Sequence, residues 1–205
     1  MNWELTENGF NSEKIAHLGN KFLTGNGYMG IRGTLDEFDS RDLVAVNLAG
    51  IYDQVGNSWR ETLNAPNGFY SYLIVDGNVL KVQDNAPKEH FIKLDYRHGI
   101  FKRHTEWTTK RGNIVLESER FVSMDDVHIG VEKYKITADF HADINFLTGI
   151  DGDVWDINGP HYDEIIMDED DCISIVGISH EKKYHVAVSV SEDENFPCEK
   201  KIILK

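Results

Sequence analysis

The stretch Tyr72-Leu73-Ile74-Val75-Asp76-Gly77-Asn78-Val79-Leu80-Lys81-Val82 decides the fold of this chain. Two runs of residues that favour β-strands flank the turn Asp76-Gly77-Asn78. An Asp-Gly pair between two such runs is a strong signal for a β-hairpin, because a tight hairpin turn needs residues that tolerate positive φ. The sequence therefore predicts two antiparallel strands here.

The same pattern continues along the rest of the chain. Glu106–Leu116 repeats the hairpin with a longer turn at Lys110–Asn113. In Tyr184–Ser191 every second residue is apolar or aromatic on one face, which is typical of a half-buried strand. Cys172–Val176 and Lys201–Leu204 are further strand candidates. Many strands with almost no helix predict an all-β, antiparallel sandwich or barrel.

One segment, Ser12–Phe22, reads as a short helix. Ser12 is its candidate cap, and Ile15, Leu18 and Phe22 would share one face.

A phase shift interrupts the alternation of apolar residues further along. Val127–Val131 alternates, but the apolar phase then moves to Tyr134 and Ile136. A slip of one residue inside a strand predicts a β-bulge near Glu132-Lys133.

The composition limits the partners of this chain. It has 205 residues, of which 40% are hydrophobic, and a formal net charge of −14. Binding to nucleic acid or to an anionic membrane needs clustered lysine and arginine. The only such concentration, Lys102-Arg103-His104 with Lys110-Arg111, reads as strand-edge and turn residues. No apolar run approaches the roughly 18 residues of a membrane span. We therefore expect neither a nucleic-acid nor a membrane partner.

The first residues favour a cytoplasmic location. Met1–Glu7 is acidic and lacks the basic and apolar regions of a signal peptide. Reduced thiols are then expected at Cys172 and Cys198, and one disulfide between them is the alternative.

The glycine-rich stretch Gly25-Asn26-Gly27-Tyr28-Met29-Gly30-Ile31-Arg32-Gly33 invites a dinucleotide-binding interpretation. The spacing G-x-G-x-x-G has that function only between a buried strand and a helix. Neither flanks it here, because the preceding run is short and mixed, and Gly33 falls where the first helical turns would lie. We favour a structural corner, with a loop that presents Tyr28 and Arg32 to a partner as the alternative.

No motif for metal binding or nucleophilic catalysis stands out. His180 and His185 are five residues apart where a metalloprotease helix needs four, and Asp151–Gly159 lacks ligands of a calcium loop. We therefore expect no metal. Trp59 and Trp155 lie among polar, turn-like neighbours, and exposed tryptophan faces suit sugar rings, although packing is the commoner role of tryptophan.

A set of short motifs follows in order along the chain: Trp3-Glu4-Leu5 with Phe10, Leu23–Gly33, Ala49–Asp53, Leu63–Asn67, Leu94–Gly99, Glu117–Phe121 and Gly149–Val154. Together they resemble the N-terminal domain of glycoside hydrolase family 65, which comprises maltose, trehalose and kojibiose phosphorylases and related hydrolases. The resemblance covers nearly the whole chain and rests on the ordered set rather than on one motif.

The resemblance implies a single β-sandwich domain over residues 1–205, a super-sandwich of the galactose-mutarotase type. In the family, a helical linker and an (α/α)₆ barrel follow this domain, so the chain would end before the linker. The barrel holds the carboxylic acid that protonates the glycosidic oxygen, and it binds phosphate. The resemblance therefore implies no catalytic residue and no cofactor in this chain, with inorganic phosphate as the co-substrate of the parent enzyme.

The implied role is structural support of an inverting phosphorylase. Such an enzyme converts an α-glucosyl disaccharide, such as maltose or trehalose, and phosphate into β-glucose 1-phosphate and glucose. The domain would pack on its own catalytic barrel and support a homodimer. Asn26, Tyr28 and Arg32 are the candidates for contact between the domains, because the tight glycine backbone presents them.

Other functions stay open on the sequence alone. One is a stand-alone carbohydrate-binding sandwich that uses Trp59 or Trp155, and another is a domain of a family 65 hydrolase. A mutarotase-type enzyme on the same fold would need a general acid and a general base across a sheet cleft. The choice of disaccharide is not readable here, because in the family the loops that select it lie in the barrel.

Overall fold

The fold is all-β, as a computed structural model of residues 3–168 and 172–194 describes it. Of these residues, 51% lie in strands and 7% in helices, which confirms the prediction of antiparallel sheets with little helix. The predicted strand at Lys201–Leu204, and Cys198, lie outside the described residues.

The strands are β1 (Glu4–Asn8), β2 (Thr24–Gly25), β3 (Met29–Ile31), β4 (Val46–Asp53), β5 (Glu61–Asn64), β6 (Asn67–Val75), β7 (Asn78–Leu80), β8 (Glu89–Asp95), β9 (Ile100–Thr108), β10 (Asn113–Val122), β11 (Gly130–Ala138), β12 (Ile144–Asp151), β13 (Tyr162–Asp168), β14 (Ile173–Ser179) and β15 (His185–Val190). The helices are α1 (Ile15–Lys21) and two 3₁₀ helices at Ser12–Lys14 and Ser40–Asp42.

The strands pair only with antiparallel neighbours in the described part of the chain. One sheet has five strands in the order β1-β8-β9-β10-β11, and a second has four in the order β2-β3-β4-β5. Two three-stranded sheets have the orders β12-β6-β7 and β13-β14-β15. Most neighbours in the sheets are also neighbours along the chain, which is the meander that successive hairpins predict.

The predicted hairpins are present. β6 and β7 meet at Asp76 and Gly77, whose φ angles are 48° and 78°. Positive φ at both central residues is the backbone of a type I′ turn, which matches the twist of the two strands. β9 and β10 form the second hairpin around residues 109–112.

The helix at the predicted position begins with a different cap. Asn11, not Ser12, is the first cap, because its side chain accepts a hydrogen bond from the backbone N–H of Glu13. The apolar face is as predicted, since Ile15, Leu18 and Phe22 pack in the main core.

The predicted β-bulge near Glu132-Lys133 is wrong. β11 pairs with β10 in unbroken register along its whole length. The residues before Gly130 belong to a loop, so their alternation and that of β11 need not share a phase. Within β11, Glu132 faces inward and Val131 faces solvent.

Two clusters of buried apolar residues form the core. The larger cluster lies between the five-stranded sheet and the β6–β7 hairpin, and Phe22 at the end of α1 closes it. The smaller cluster joins β3, β4 and β5 to β15 through Ile31, Val46, Leu63 and Val186.

Arg103 corrects the interpretation of the basic residues at 102–104 as strand-edge residues. It lies on β9, an interior strand, and its side chain is fully buried. The guanidinium binds Glu37 through both terminal nitrogens, with Nη2 donating to Oε1 at 2.9 Å, and Nη1 donates to Asp36 Oδ2 at 3.2 Å. Burial by itself would lower the pKa of Arg103. The two carboxylates have the larger effect, and the pKa of Arg103 is raised.

A second arginine extends this network on β10. Arg120 Nη2 donates to the carbonyl oxygens of Thr34 at 2.9 Å and Arg32 at 3.3 Å. Ser118 Oγ donates to Asp36 Oδ2 at 3.1 Å. Side chains of the five-stranded sheet therefore hold the segment that follows β3 from several directions.

The glycine-rich stretch forms a hairpin of β2 and β3, and it does not open a helix, because the next helical element is the three-residue 3₁₀ helix at Ser40–Asp42. The dinucleotide interpretation therefore stays excluded. Gly33 donates its N–H to the carbonyl of Gly19, and a Cβ at Gly33 would lie 2.7 Å from the backbone carbonyl carbon of Phe22. Gly30 has open space at the corresponding position. The close approach of two backbones explains the glycine at 33.

Gly33→Ala is expected to lower the free energy of unfolding by about 1–3 kcal/mol, because the new methyl group overpacks against backbone. Gly30→Ala is the matched control, and it should change stability by no more than about 1 kcal/mol, with stabilisation the expected sign. Urea unfolding of both variants measures the difference. Equal effects at the two positions would contradict the packing argument.

Candidate functional site

The candidate site is a cavity of about 210 Å³ on the four-stranded sheet. Its polar lining comes from four regions, which are α1, the residue after β3, strands β4 and β5, and the loop that follows β12. The residues are Asn20, Arg32, Asn47, Glu61, Thr62, Asn64, Trp155 and Asp156. Two exposed apolar side chains, Leu23 and Ile157, also line it. Because these two side chains reach solvent, the cavity opens beside them.

The loop at residues 152–161 forms one wall and is tied to β5. Asn64 Nδ2 donates to the carbonyl oxygen of Trp155, and the Tyr162 hydroxyl donates to the carbonyl oxygen of Asn64 at 2.9 Å. The backbone N–H of Asn158 donates to Glu61 Oε1 at 2.9 Å. These bonds replace strand pairing in an irregular segment.

His161 anchors the end of this loop between two carboxylates. Its Nδ1 lies 2.8 Å from Asp53 Oδ2, and its Nε2 lies 2.7 Å from Glu61 Oε1. His161 and Asp53 are fully buried. An imidazole donates from both nitrogens only when it is protonated. Burial opposes that charge, but the hydrogen bonds that His161 donates to Glu61 and Asp53 outweigh burial and raise the pKa of His161.

Asp156 is a carboxyl group of the site whose charge is disfavoured by burial. Burial raises its pKa to about 7, against the opposing effect of His161, and the charge of Glu61 adds to the increase. A carboxyl with that pKa changes its charge near neutral pH.

Several polar atoms around the cavity are buried and have no hydrogen-bond partner among the described residues. They are Arg32 Nε, Trp155 Nε1, Asp156 Oδ1 and Asn158 Nδ2. Such atoms are few in native proteins and cost about 1–3 kcal/mol each. Four further atoms of this kind, on Asp36, Arg120 and Glu132, lie in the core arginine network. The candidate site differs from that network because its unpartnered atoms lie beside a cavity.

The structure brings together two of the residues that the sequence singled out. Arg32 and Trp155 both line the cavity, and Arg32 Nη2 also donates to the carbonyl of Ala16 at 2.8 Å. Trp59 lies outside the lining, on the surface, with 63% of its area exposed. Trp155 is half-buried.

Asn26 and Tyr28 lie at the tip of the β2–β3 hairpin. Asn26 Nδ2 donates to the carbonyls of Ser123 and Val127 at 2.6 and 3.0 Å, so it ties the hairpin to the loop before β11. The half-buried ring of Tyr28 packs on His128, with 4.5 Å between ring centroids.

Sequence reasoning did not single out the other polar residues of the site: Asp53, Glu61, Asn64, Asp156 and His161. A signal for them existed, because Arg32, Asp53, Asn64 and the residues around Asp153 all belong to motifs that carried the resemblance. These motifs are remote in sequence, and only the pairing of β3, β4 and β5 brings them to one cavity.

The described part of the chain shows neither a metal-binding cluster nor a membrane-spanning helix. Among residues 3–168 and 172–194, no group of three or more His, Cys, Asp or Glu side chains could hold a metal ion. Nor does this part contain a helix with the length and apolar character that crossing a bilayer requires. Cys172 is a free, exposed thiol.

Comparison with known proteins identifies the family. The model of the glycosyl hydrolase family 65 N-terminal domain matches residues 5–199. Nigerose phosphorylase from Lachnoclostridium phytofermentans is 51% identical over 165 residues, which are 80% of this chain and 22% of that protein. 1,2-α-Glucosylglycerol phosphorylase from Bacillus selenitireducens is 31% identical over 160 residues, 78% of this chain and 21% of that protein.

A solved structure shares the fold. It is assigned as a kojibiose phosphorylase from the human microbiome, and it matches with a TM-score of 0.75 at 21% identity, over 87% of this chain and 26% of that chain. The chain thus spans 22% and 21% of the length of the two curated relatives named above.

His161→Leu is expected to lower the free energy of unfolding by about 3–5 kcal/mol, because it leaves the buried carboxylates of Asp53 and Glu61 without their shared partner. His180→Leu is the matched control, since its ring forms an exposed pair with Asp163. That pair should contribute no more than about 1 kcal/mol. Chemical denaturation measures both, and a loss at His161 no larger than that at His180 would contradict the bridging role.

Asp156→Asn should stabilise the protein at pH 8 and have little effect near pH 4. The ordinary pKa of this carboxyl, 3.8, rises to about 7 on folding, so stability is lost as the pH rises through that window. The amide variant escapes the loss, and its advantage in Tm should shrink as the pH falls below 7.

Asp163→Asn is the control with the opposite sign. Lys183 and His180 lower the pKa of Asp163 through hydrogen bonds, so removing its charge should not stabilise the protein at pH 8. A Tm advantage of Asp156→Asn that is independent of pH would refute the assignment.

Proposed function

The chain belongs to the N-terminal domain family of glycosyl hydrolase family 65, and we propose that it is the non-catalytic N-terminal β-sandwich of an inverting disaccharide phosphorylase. The observation that carries this proposal is the 51% identity with nigerose phosphorylase, of which the chain spans 22%. In the proposal, residues 1–205 form one domain of a longer polypeptide, and a helical linker and a catalytic barrel follow it.

The proposed reaction places all bond changes outside this chain. Phosphate attacks the anomeric carbon of an α-glucosyl disaccharide, and the bond from that carbon to the glycosidic oxygen breaks with inversion. A carboxylic acid protonates the departing oxygen, while phosphate replaces the base-activated water of an inverting hydrolase. The products are β-glucose 1-phosphate and the released sugar. Phosphate is therefore a co-substrate of the parent enzyme.

The domain would support the barrel and a homodimer. Ile165, Ile166 and Met167 on β13 are 38%, 46% and 51% exposed, and β13 is the end strand of its sheet. Exposed apolar side chains on a strand that has a neighbour on one side only among the described residues favour burial against another element. Asn26, Tyr28 and Arg32 remain our proposed contacts with the barrel, because the hairpin around Gly27 holds them in fixed positions.

We also propose that the protein acts in the cytoplasm. A sugar phosphate is charged and crosses an apolar membrane only at high cost, so its formation inside the cell retains the product.

The test is phosphorolysis by the full-length polypeptide that carries these residues. Nigerose, maltose, kojibiose and trehalose are each incubated with and without phosphate, and glucose 1-phosphate is measured. We expect glucose 1-phosphate only with phosphate present, and nigerose is the first candidate substrate because of the identity with nigerose phosphorylase.

The 205-residue chain is the control and should be inert on all four sugars. Release of glucose without phosphate would indicate a hydrolase instead. Turnover by the 205-residue chain alone would contradict the non-catalytic role.

A further inference from the structure

We propose that the cavity between β5 and the loop at residues 152–161 binds a single sugar ring or a polyol of similar size, through its hydroxyl groups. The names of the relatives do not mention a ligand of the N-terminal domain, and the inference is argued from residues of this chain alone. It goes beyond the proposed phosphorylase role and does not depend on it.

The size of the cavity favours a ligand of one ring. A volume of about 210 Å³ is several times the roughly 30 Å³ that one water molecule occupies in the liquid. It is below the roughly 300–1,000 Å³ of pockets for drug-sized ligands. A disaccharide therefore exceeds the space, while a pyranose is of the right order.

The charges of the lining favour a neutral ligand. Arg32, Glu61 and Asp156 all line the cavity, so both signs of charge are present. A cation would meet the guanidinium of Arg32, and an anion would meet the two carboxyl groups. The lining therefore does not have the single sign of charge that would favour a cation or an anion.

The unpartnered atoms of the lining favour hydroxyl groups. Arg32 Nε and Trp155 Nε1 are donors without an acceptor, and Asp156 Oδ1 is an acceptor without a donor. A cation could satisfy only the carboxyl oxygen, and phosphate could satisfy only the two donors. A sugar hydroxyl is both donor and acceptor, so a set of hydroxyls can serve all three atoms.

The loop at residues 152–161 would adjust when the ligand binds. The three atoms are covered in the described structure, and Arg32 Nε lies against Gly19 of α1. Hydroxyl groups reach them only after the side chains of Arg32, Trp155 and Asp156 turn toward the cavity. The backbone of the loop stays tied to Asn64 and Glu61, so the change required is one of side-chain rotation. Leu23 and Ile157 at the opening offer apolar contact for the C–H groups of a sugar ring.

The test is hydrogen exchange of the full-length polypeptide, read peptide by peptide. Millimolar D-glucose should slow exchange in peptides that cover residues 61–64 and 152–161. The protection grows as one plus the ratio of ligand concentration to Kd, so exchange should slow about tenfold at a concentration about ten times Kd. Because each peptide reports locally, sugar bound elsewhere in the polypeptide does not mimic this result, and the readout is independent of phosphorolysis.

Trp155→Phe keeps a ring but removes the N–H donor, and Asp156→Leu keeps a branched side chain but removes both acceptor oxygens, so each should abolish the protection. Trp59→Phe is the matched control, because Trp59 lies outside the lining, and it should leave the protection unchanged. Thermal unfolding of all three variants checks that they are folded.

Three comparison ligands separate the alternatives. Maltose protects these peptides as well if the natural ligand is the end ring of a longer saccharide, and glucose alone protects them if it is a free sugar; either result supports a sugar site. Protection by methylammonium or by phosphate, with none by glucose, would overturn the inference in favour of an ion. Absence of protection by every probe would mean that water, or the barrel in contact with Arg32, fills the cavity, and it would overturn the inference too.

Discussion

The buried ion pairs of Arg103 with Asp36 and Glu37 are the constraint on which the rest of the structure depends. A buried charge is tolerated only when a partner compensates it, and loss of one partner typically costs about 3–5 kcal/mol. Arg103 points to the core from an interior strand, so the segment after β3 must lie across that sheet. Arg120 holds the carbonyls of the same segment from the neighbouring strand, and Arg32 therefore emerges at a fixed place beside the cavity.

A second cluster in the structure also joins one buried cationic side chain to two carboxylates. His161 joins Asp53 and Glu61 as Arg103 joins Asp36 and Glu37, and both clusters fasten an irregular segment to a sheet. In the core network, each charged group has a partner of opposite sign. At the cavity, donors and an acceptor beside Asp156 stay unpaired within the described residues. Unpartnered polar atoms also occur in the core network, on Asp36, Arg120 and Glu132. Only the atoms around the candidate site lie beside a cavity that a further molecule can enter.

Much of the fold could be predicted from local sequence, because strands and tight turns depend on nearby residues. The hairpin at Asp76-Gly77 and the alternation in β15 were both correct. Predictions failed where a polar residue faces the core. Arg103 and Glu132 lie on inward faces, and alternation of apolar residues alone assigns such positions to solvent. Of the candidate site, Arg32 and Trp155 were singled out, but Glu61, Asp156 and His161 were not, since a carboxylate or a histidine alone carries no sign of its partners.

The sequence by itself determined an all-β antiparallel fold, the positions of the main hairpins and, through its ordered motifs, the family. These depend on strand propensity, on turn residues that accept positive φ, and on short motifs that can be read in order. Only the tertiary structure decided that β3, β4, β5 and the loop after β12 enclose one cavity, and that buried carboxylates meet arginine and histidine there and in the core. The physical reason is that these contacts join residues 66 to 108 positions apart. The burial that sets their charge exists only after the chain has folded.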